Sequence, residues 1–304
     1  MDHGCLLSVL ERRFCVDGDA LEWFKSYLSD RSQTYIAGQD SHGPVSVSCS
    51  IPPGSVLGPI ESIAYTEDVT ELIAAYELSY HLFADDKQLY TAVRPSEVPA
   101  GCQRLVSCIS DLQQWCASRR LQLNASKTEL IWLGSRAALH KLSATDSSLV
   151  VDSTTIQPSS VVRNLGVLFD SELTFKHHVS KIVSSCFYQL RRLKQLKRHV
   201  DVNTMKLLIS AFILSRLDYC NVLLSGLPMS TIRPLQRVQN AAARLALGLS
   251  PRDHVSDALK KLHWLPVTHR IQYKLSLMMF LVHNHQCPDY MSNITSCHLS
   301  LIHI

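Results

Sequence analysis

Apolar residues recur at helical spacing near the start of the chain, in "LLSVLERRF" (6–14) and "DALEWFKSYLSD" (19–30), with Asp17 or Asp19 as the N-cap of the second segment. The stretch "QTYIAGQDSHGPVSVSCSI" (33–51) alternates apolar and polar, breaks at Gly43-Pro44 and alternates again, which predicts a hairpin or two linked strands. A turn rich in Pro and Gly, "IPPGSVLGP" (51–59), leads into a helical pattern over 60–76. "LSYHLF" (78–83) and "KQLYTAV" (87–93) read as two short strands on either side of a double aspartate. Residues 96–120 return to helical spacing, with Leu105, Ile109, Leu112 and Trp115 on one face. "TELIWLG" (128–134) reads as a strand, and 135–160 as a Ser/Thr-rich connection holding one short strand at most.

The register changes after Phe175. "TFKHHVSKIVSSCFYQLRRLKQLKRHV", "MKLLISAFILSRLDY", "IRPLQRVQNAAARLAL" and "VTHRIQYKLSLMMFLVH" all carry helical periods. A mixed half (1–173) is therefore expected to precede an all-helical half (174–304), an α+β protein of two domains. The length of 304 residues allows both to bury cores. The 46% of apolar residues excludes a disordered chain, and the 18% of charged residues is low enough to suggest surface set aside for a partner. A net charge of +4 adds little about nucleic acid. Ten cysteines without a CxxC pair, and no secretory leader pattern in 1–15, point to reduced intracellular thiols, mostly in the core. The sequons at Asn124 and Asn293 are then chance matches. "LLISAFILS" (207–215) stops at Arg216 and Asp218, too short to span a membrane.

The chemistry centres on Asp85-Asp86 in "HLFADDKQLY" (81–90). Asp-Asp between strands is ordinary turn chemistry. It also suits Mg²⁺ or Mn²⁺, since a hard cation takes carboxylate oxygens. Two-metal phosphoryl transfer holds its ions about 3.5–4 Å apart, which two neighbouring aspartates cannot do without a third carboxylate from another strand.

The order of "IPPGSVLGP", "FADD", "LQLNASKTELIWLG" and "VVRNLGVLFDSELTF" resembles the reverse transcriptase of non-LTR (LINE-type) retrotransposons, over residues 2 to about 290. The resemblance implies a right-hand polymerase, with 1–173 as a partial palm and 174–304 as a helical thumb and C-terminal extension. It implies an RNA template, a DNA primer and Mg²⁺ or Mn²⁺. Phe83-Ala84-Asp85-Asp86 matches the family's metal-binding hairpin, with Asp85 as ligand and Asp86 as its supporting carboxylate. Gly54-Ser55-Val56-Leu57-Gly58-Pro59 matches a loop whose glycine, Gly54, lets backbone approach nucleotide and template. Lys127 matches a lysine near the nucleotide phosphates. Asn164-Leu165-Gly166-Val167 matches the hairpin at the primer end. Residues 176–200 hold Lys176, Lys181, Arg191, Arg192, Lys194, Lys197 and Arg198 with no Asp or Glu. They are either a solvated helix face or, as the thumb, a phosphate-neutralising surface.

Departures from the family pattern set the functional expectation. Met1-Asp2-His3 matches the end of the first catalytic motif, and the catalytic aspartate of that motif falls three residues before Asp2. An offset of three along a strand is about 10 Å and the opposite face, so Asp2 cannot replace it. Pro53 stands in place of a glutamine. Glu61 and Ser62 fall where apolar residues pack under the catalytic hairpin. Lys87 is either an exposed strand residue or a partner for Asp86 in competition with metal. The expectation is an N-terminally truncated, reverse-transcriptase-like domain with activity lost or impaired. The alternatives are a non-catalytic nucleic-acid-binding module or a decayed retroelement fragment. The resemblance places it in cytoplasm and nucleus. The tail's His283, His285, Cys287, Cys297, His298 and His303 are zinc-ligand types, but their spacing fits no standard knuckle.

Overall fold

A computed structural model describes residues 1–38, 40–51, 54–124, 127–142, 147–151, 154–250 and 252–291. The chain is α+β and forms two compact units, Met1–Ser159 and Ser160–Ile304. The division falls ahead of the 173/174 boundary drawn from periodicity, so the short strands of 161–170 group with the helices that follow them.

In the first unit, α1 (His3–Phe14) starts at Asp2, whose Oδ1 accepts the Cys5 N–H at 2.9 Å, and stops at Cys15 in the left-handed region. α2 (Gly18–Leu28) follows. β1 (Ser32–Ala37) and β2 (Asp40–Ser46) then form an antiparallel hairpin. The expected break at Gly43-Pro44 does not occur there. The chain reverses after Gly38, at φ 66°, and β2 continues through the proline, which a two-stranded ribbon with open edges tolerates. α3 (Gly58–Thr66) packs on α1 around Leu6, Leu10, Leu28, Ala64 and Tyr65. Tyr65 is fully buried, and its hydroxyl accepts the Asp2 N–H and donates to the Arg119 carbonyl at 2.6 Å.

A second core lies on α4 (Val69–Ala74), the hairpin of β3 (Ser79–Phe83) and β4 (Asp86–Tyr90), and α5 (Val98–Ser118). Leu105, Ile109 and Leu112 are buried on the expected face of α5, and Trp115 packs half-buried beside them. "TELIWLG" is not a strand. Leu130 makes an isolated bridge to Pro158, and the Trp132 indole donates to the Ser147 carbonyl at 3.1 Å. Leu130 and Trp132 are held by packing on the second core rather than by a ladder. The presumed connection contains α6 (Arg136–Leu142) and a hairpin of β5 (Leu149–Val151) and β6 (Thr154–Ile156).

The second unit opens with β7 (Val161–Asn164) and β8 (Val167–Asp170). They are joined by Leu165-Gly166, with φ of 44° and 85°. Positive φ at both turn residues suits the twist of a two-residue hairpin. Asp170 is buried and accepts the backbone N–H groups of Thr174 at 2.8 Å and Phe175 at 2.7 Å. That contact bends the chain into α7 (Lys176–Leu196). α8 (Val202–Ile209) runs through a π-helical turn at Ser210–Leu214 into α9 (Ser215–Asp218). α10 (Met229–Leu247), α11 (Val255–Leu262) and α12 (Val267–His283) complete the bundle. Small residues Ala242, Ala243 and Ala246 are buried on α10, which packs on α7 across Cys186, Leu190 and Leu193. Buried Gln239 donates to the Leu265 carbonyl at 2.8 Å, and Gln236 accepts the Val267 N–H at 2.8 Å. Side chains of α10 thereby fix the start of α12.

No helix among the described residues is long and apolar enough to cross a membrane. Cys102, Cys108, Cys116 and Cys186 are buried, whereas Cys15, Cys49 and Cys220 are exposed, so the cysteines are less uniformly core than expected.

Candidate metal and nucleic-acid site

Phe83 and Asp86 form the last cross-strand pair of the β3–β4 hairpin, and Ala84-Asp85 is the two-residue turn between them. Ala84 sits at φ 53°. For an L-residue with a Cβ this conformation costs about 1–2 kcal/mol. Strand alternation sorts the side chains. Leu82 and Leu89 lean half-buried on the second core. Phe83, Asp86 and Gln88 take the opposite face, with Phe83 at 58% exposure. Both aspartates are exposed at the tip. Two adjacent carboxylates on a hairpin tip fit the oxygen preference of Mg²⁺ or Mn²⁺. No cluster of three or more potential metal ligands occurs among the described residues.

Lys87 does not pair with Asp86. It pairs across the ribbon with Leu82 and so points to the core side, where its charge partly offsets the upward push of burial on the Cys116 thiol. Asp2 is committed elsewhere. Besides capping α1 it forms an ion pair with Arg120 at 3.2 Å. Its carboxyl lies below the usual range, chiefly because the Cys5 N–H bonds the charged form.

Gly54 has φ 78°, with nothing within 4 Å of where a Cβ would stand, so its conformation needs glycine while the space beside it is open. The Ser55 hydroxyl accepts the Gly58 N–H at 3.0 Å and fixes the turn into α3. Glu61 is on α3, which packs on α1 beside the first core, and is 2% exposed with neither carboxylate oxygen hydrogen-bonded. Burial pushes its carboxyl up, and His3 partly offsets this. Ser62 is exposed. Lys127 is exposed, and its N–H donates to the Asn124 carbonyl at 3.1 Å. Its neighbours Leu123 and Leu130 pack on the same core as Leu82 and Leu89, but no ion pair joins it to either aspartate among the described residues.

In the second unit Lys176, Lys181, Arg191, Arg192, Lys194, Lys197 and Arg198 are all exposed. Val179, Cys186, Leu190 and Leu193 are buried on the other side of α7. Arg192 lies over the Tyr188 ring at 5.9 Å. Gly166 lies in the β7–β8 turn, where the Tyr219 hydroxyl donates to the Leu165 carbonyl at 2.6 Å. Sequence reasoning missed Tyr219, because nothing local links residues so far apart. Pro53, Asn293, Cys297, His298 and His303 lie outside the described residues.

A family model described as "Reverse transcriptase (RNA-dependent DNA polymerase)" matches residues 6–169. A curated Drosophila melanogaster protein, "Probable RNA-directed DNA polymerase from transposon BS", is 25% identical over 193 residues. The match covers 60% of this chain and 20% of that protein, so the chain spans about one fifth of its relative's length. No solved structure matches the chain.

Proposed function

The chain belongs to the reverse transcriptase (RNA-dependent DNA polymerase) family, and from that premise we propose that it is palm and thumb sequence of a polymerase encoded by a LINE-type retrotransposon. The observation that carries the reading is the Phe83-Ala84-Asp85-Asp86 hairpin, which projects two exposed carboxylates from a ribbon anchored on a core. The transposon polymerase among its relatives supports the same origin. On this reading the template is RNA, the primer is DNA, and the working compartments are cytoplasm and nucleus.

Asp85 and Asp86 would hold Mg²⁺ or Mn²⁺. Such an ion, when bound, supplies Lewis-acid stabilisation of charge on the attacking and leaving oxygens. Lys127 would offset charge on the departing pyrophosphate. Gly54 would admit the nucleotide and template to the backbone at its open side, and the Leu165-Gly166 turn would hold the primer end. Two carboxylates on one turn do not clamp two ions, so the 304-residue chain assayed by itself is expected to be impaired in synthesis. Primer extension on an RNA template, with Asp85→Ala as control, tests this. Product no greater than the control supports the reading, and synthesis abolished by Asp85→Ala overturns it.

The exposed cations of α7 support a second reading, a module that binds nucleic acid without polymerising it. Duplex binding by the same chain, with no extension, would favour it.

A further inference from the structure

α12 turns one side to its unit and leaves the other bare. Val267, Ile271 and Val282 are buried, and the helix packs on α9 and α10. The Arg270 Nε donates to Asp218 Oδ1 at 2.7 Å, which fixes the rotation of the helix. On the opposite side Tyr273, Leu277 and Phe280 are 62%, 39% and 59% exposed. Steps of four and three residues put these side chains on one stripe. A surface helix sets polar residues on that side. Single exposed apolar residues need no explanation, but a continuous stripe marks a surface that meets something.

The stripe reads the same in both directions. Its centre falls between Ser276 and Leu277. Tyr273 and Phe280 stand on either side of that centre, and His269 and Asn284 stand beyond them. All six are exposed. Two such helices laid antiparallel about a twofold axis at this centre match Tyr273 of each copy with Phe280 of the other. His269 then meets Asn284 at the rim, and small Ser276 lies beside Leu277. An isologous interface demands this self-complementarity, and offset or edge-on aromatic pairs favour it.

We propose that α12 pairs with α12 of a second copy of this chain, antiparallel, through Tyr273, Leu277 and Phe280. The middle of the stripe is uncharged and α12 has no Asp or Glu, so its centre offers no opposite charge to a differently built partner. Lys274 stands to the side, displaced from its copy by about 8 Å along the helices, a separation that salt screens. The three side chains expose on the order of 300 Å², well under the roughly 800 Å² per partner of a standard interface. The dimer is therefore weak, with a Kd on the order of 10–100 µM. The inference stands on α12 and not on the polymerase reading.

Sedimentation velocity of the 304-residue chain, at concentrations below and above that Kd, should show monomer passing to dimer. Tyr273→Ser/Phe280→Ser should weaken association about tenfold or more. Leu207→Ser, at an exposed apolar residue of α8, should change nothing. A mixture of Tyr273→Glu and Phe280→Lys chains should associate about tenfold more tightly than either alone. In the mixed dimer one Tyr–Phe pair is intact and the two new charges are opposite. A chain that stays monomeric throughout, as when a different protein covers α12, overturns the proposal. So does association that survives the double variant, that Leu207→Ser weakens equally, or that is no tighter in the mixture. Circular dichroism checks folding, and if the double serine variant does not fold, the two singly charged chains supply the loss of association.

Discussion

Phe83 and Asp86 face each other across the Ala84-Asp85 turn, and that pairing places both aspartates at an exposed tip while Leu82 and Leu89 anchor the ribbon. The turn depends on Ala84 at φ 53°. A β-branched side chain tolerates that conformation less well than alanine. Ala84→Val should therefore destabilise the chain by about 1 kcal/mol, seen as a lower urea midpoint, whereas Ala84→Gly should leave the midpoint near that of the parent chain.

Glu61 predicts an unusual pH response. Its carboxyl is pushed up from 4.5 by burial, so the folded state holds the proton more tightly than the unfolded state. Its contribution is then fully present below the unfolded value and is lost as pH rises through the folded one. Glu61→Gln should remove that dependence and stabilise the chain at neutral pH. Urea unfolding from pH 4 to pH 8 measures it, and a variant less stable than the parent at neutral pH would refute the account.

Asp170 predicts the opposite sign. Burial pushes its carboxyl up, but the N–H groups of Thr174 and Phe175 outweigh this, and the net direction is down from 3.8. Its contribution is present above the unfolded value and is lost as pH falls through the folded one. Asp170→Asn should cost about 1–3 kcal/mol at neutral pH, with a smaller difference in acid, as thermal unfolding would show.

The α7 surface predicts a salt response. Neutralising Arg191, Arg192, Lys194 and Lys197 together should weaken binding of a primer–template duplex. It should also flatten the plot of log affinity against log salt by about 0.9 for each phosphate contact removed. An unchanged slope would mean that these side chains are only a solvated face.

Much of the hairpin and of the helical half was legible in the sequence, because period-two strands around a turn and helical stripes such as Leu105, Ile109 and Leu112 are local signals. Lys87 was misjudged although alternation already turned it away from Asp86. The "TELIWLG" segment has strand composition, but a strand needs a neighbour, and a ladder partner is not a local property. Glu61 falls where apolar residues are expected, and it is buried on α3 beside the first core. The Tyr219–Leu165 contact arises from tertiary packing, and no spacing along the chain announces it.

The central claim, that Asp85 and Asp86 are metal-binding carboxylates rather than decoration on a turn, is tested most directly by Mn²⁺ titration followed by residue-resolved NMR line broadening. The account predicts that broadening begins at the amides of 83–87 and disappears from them in Asp85→Ala/Asp86→Ala. Broadening that spares the hairpin, or that persists there in the double variant, would contradict it.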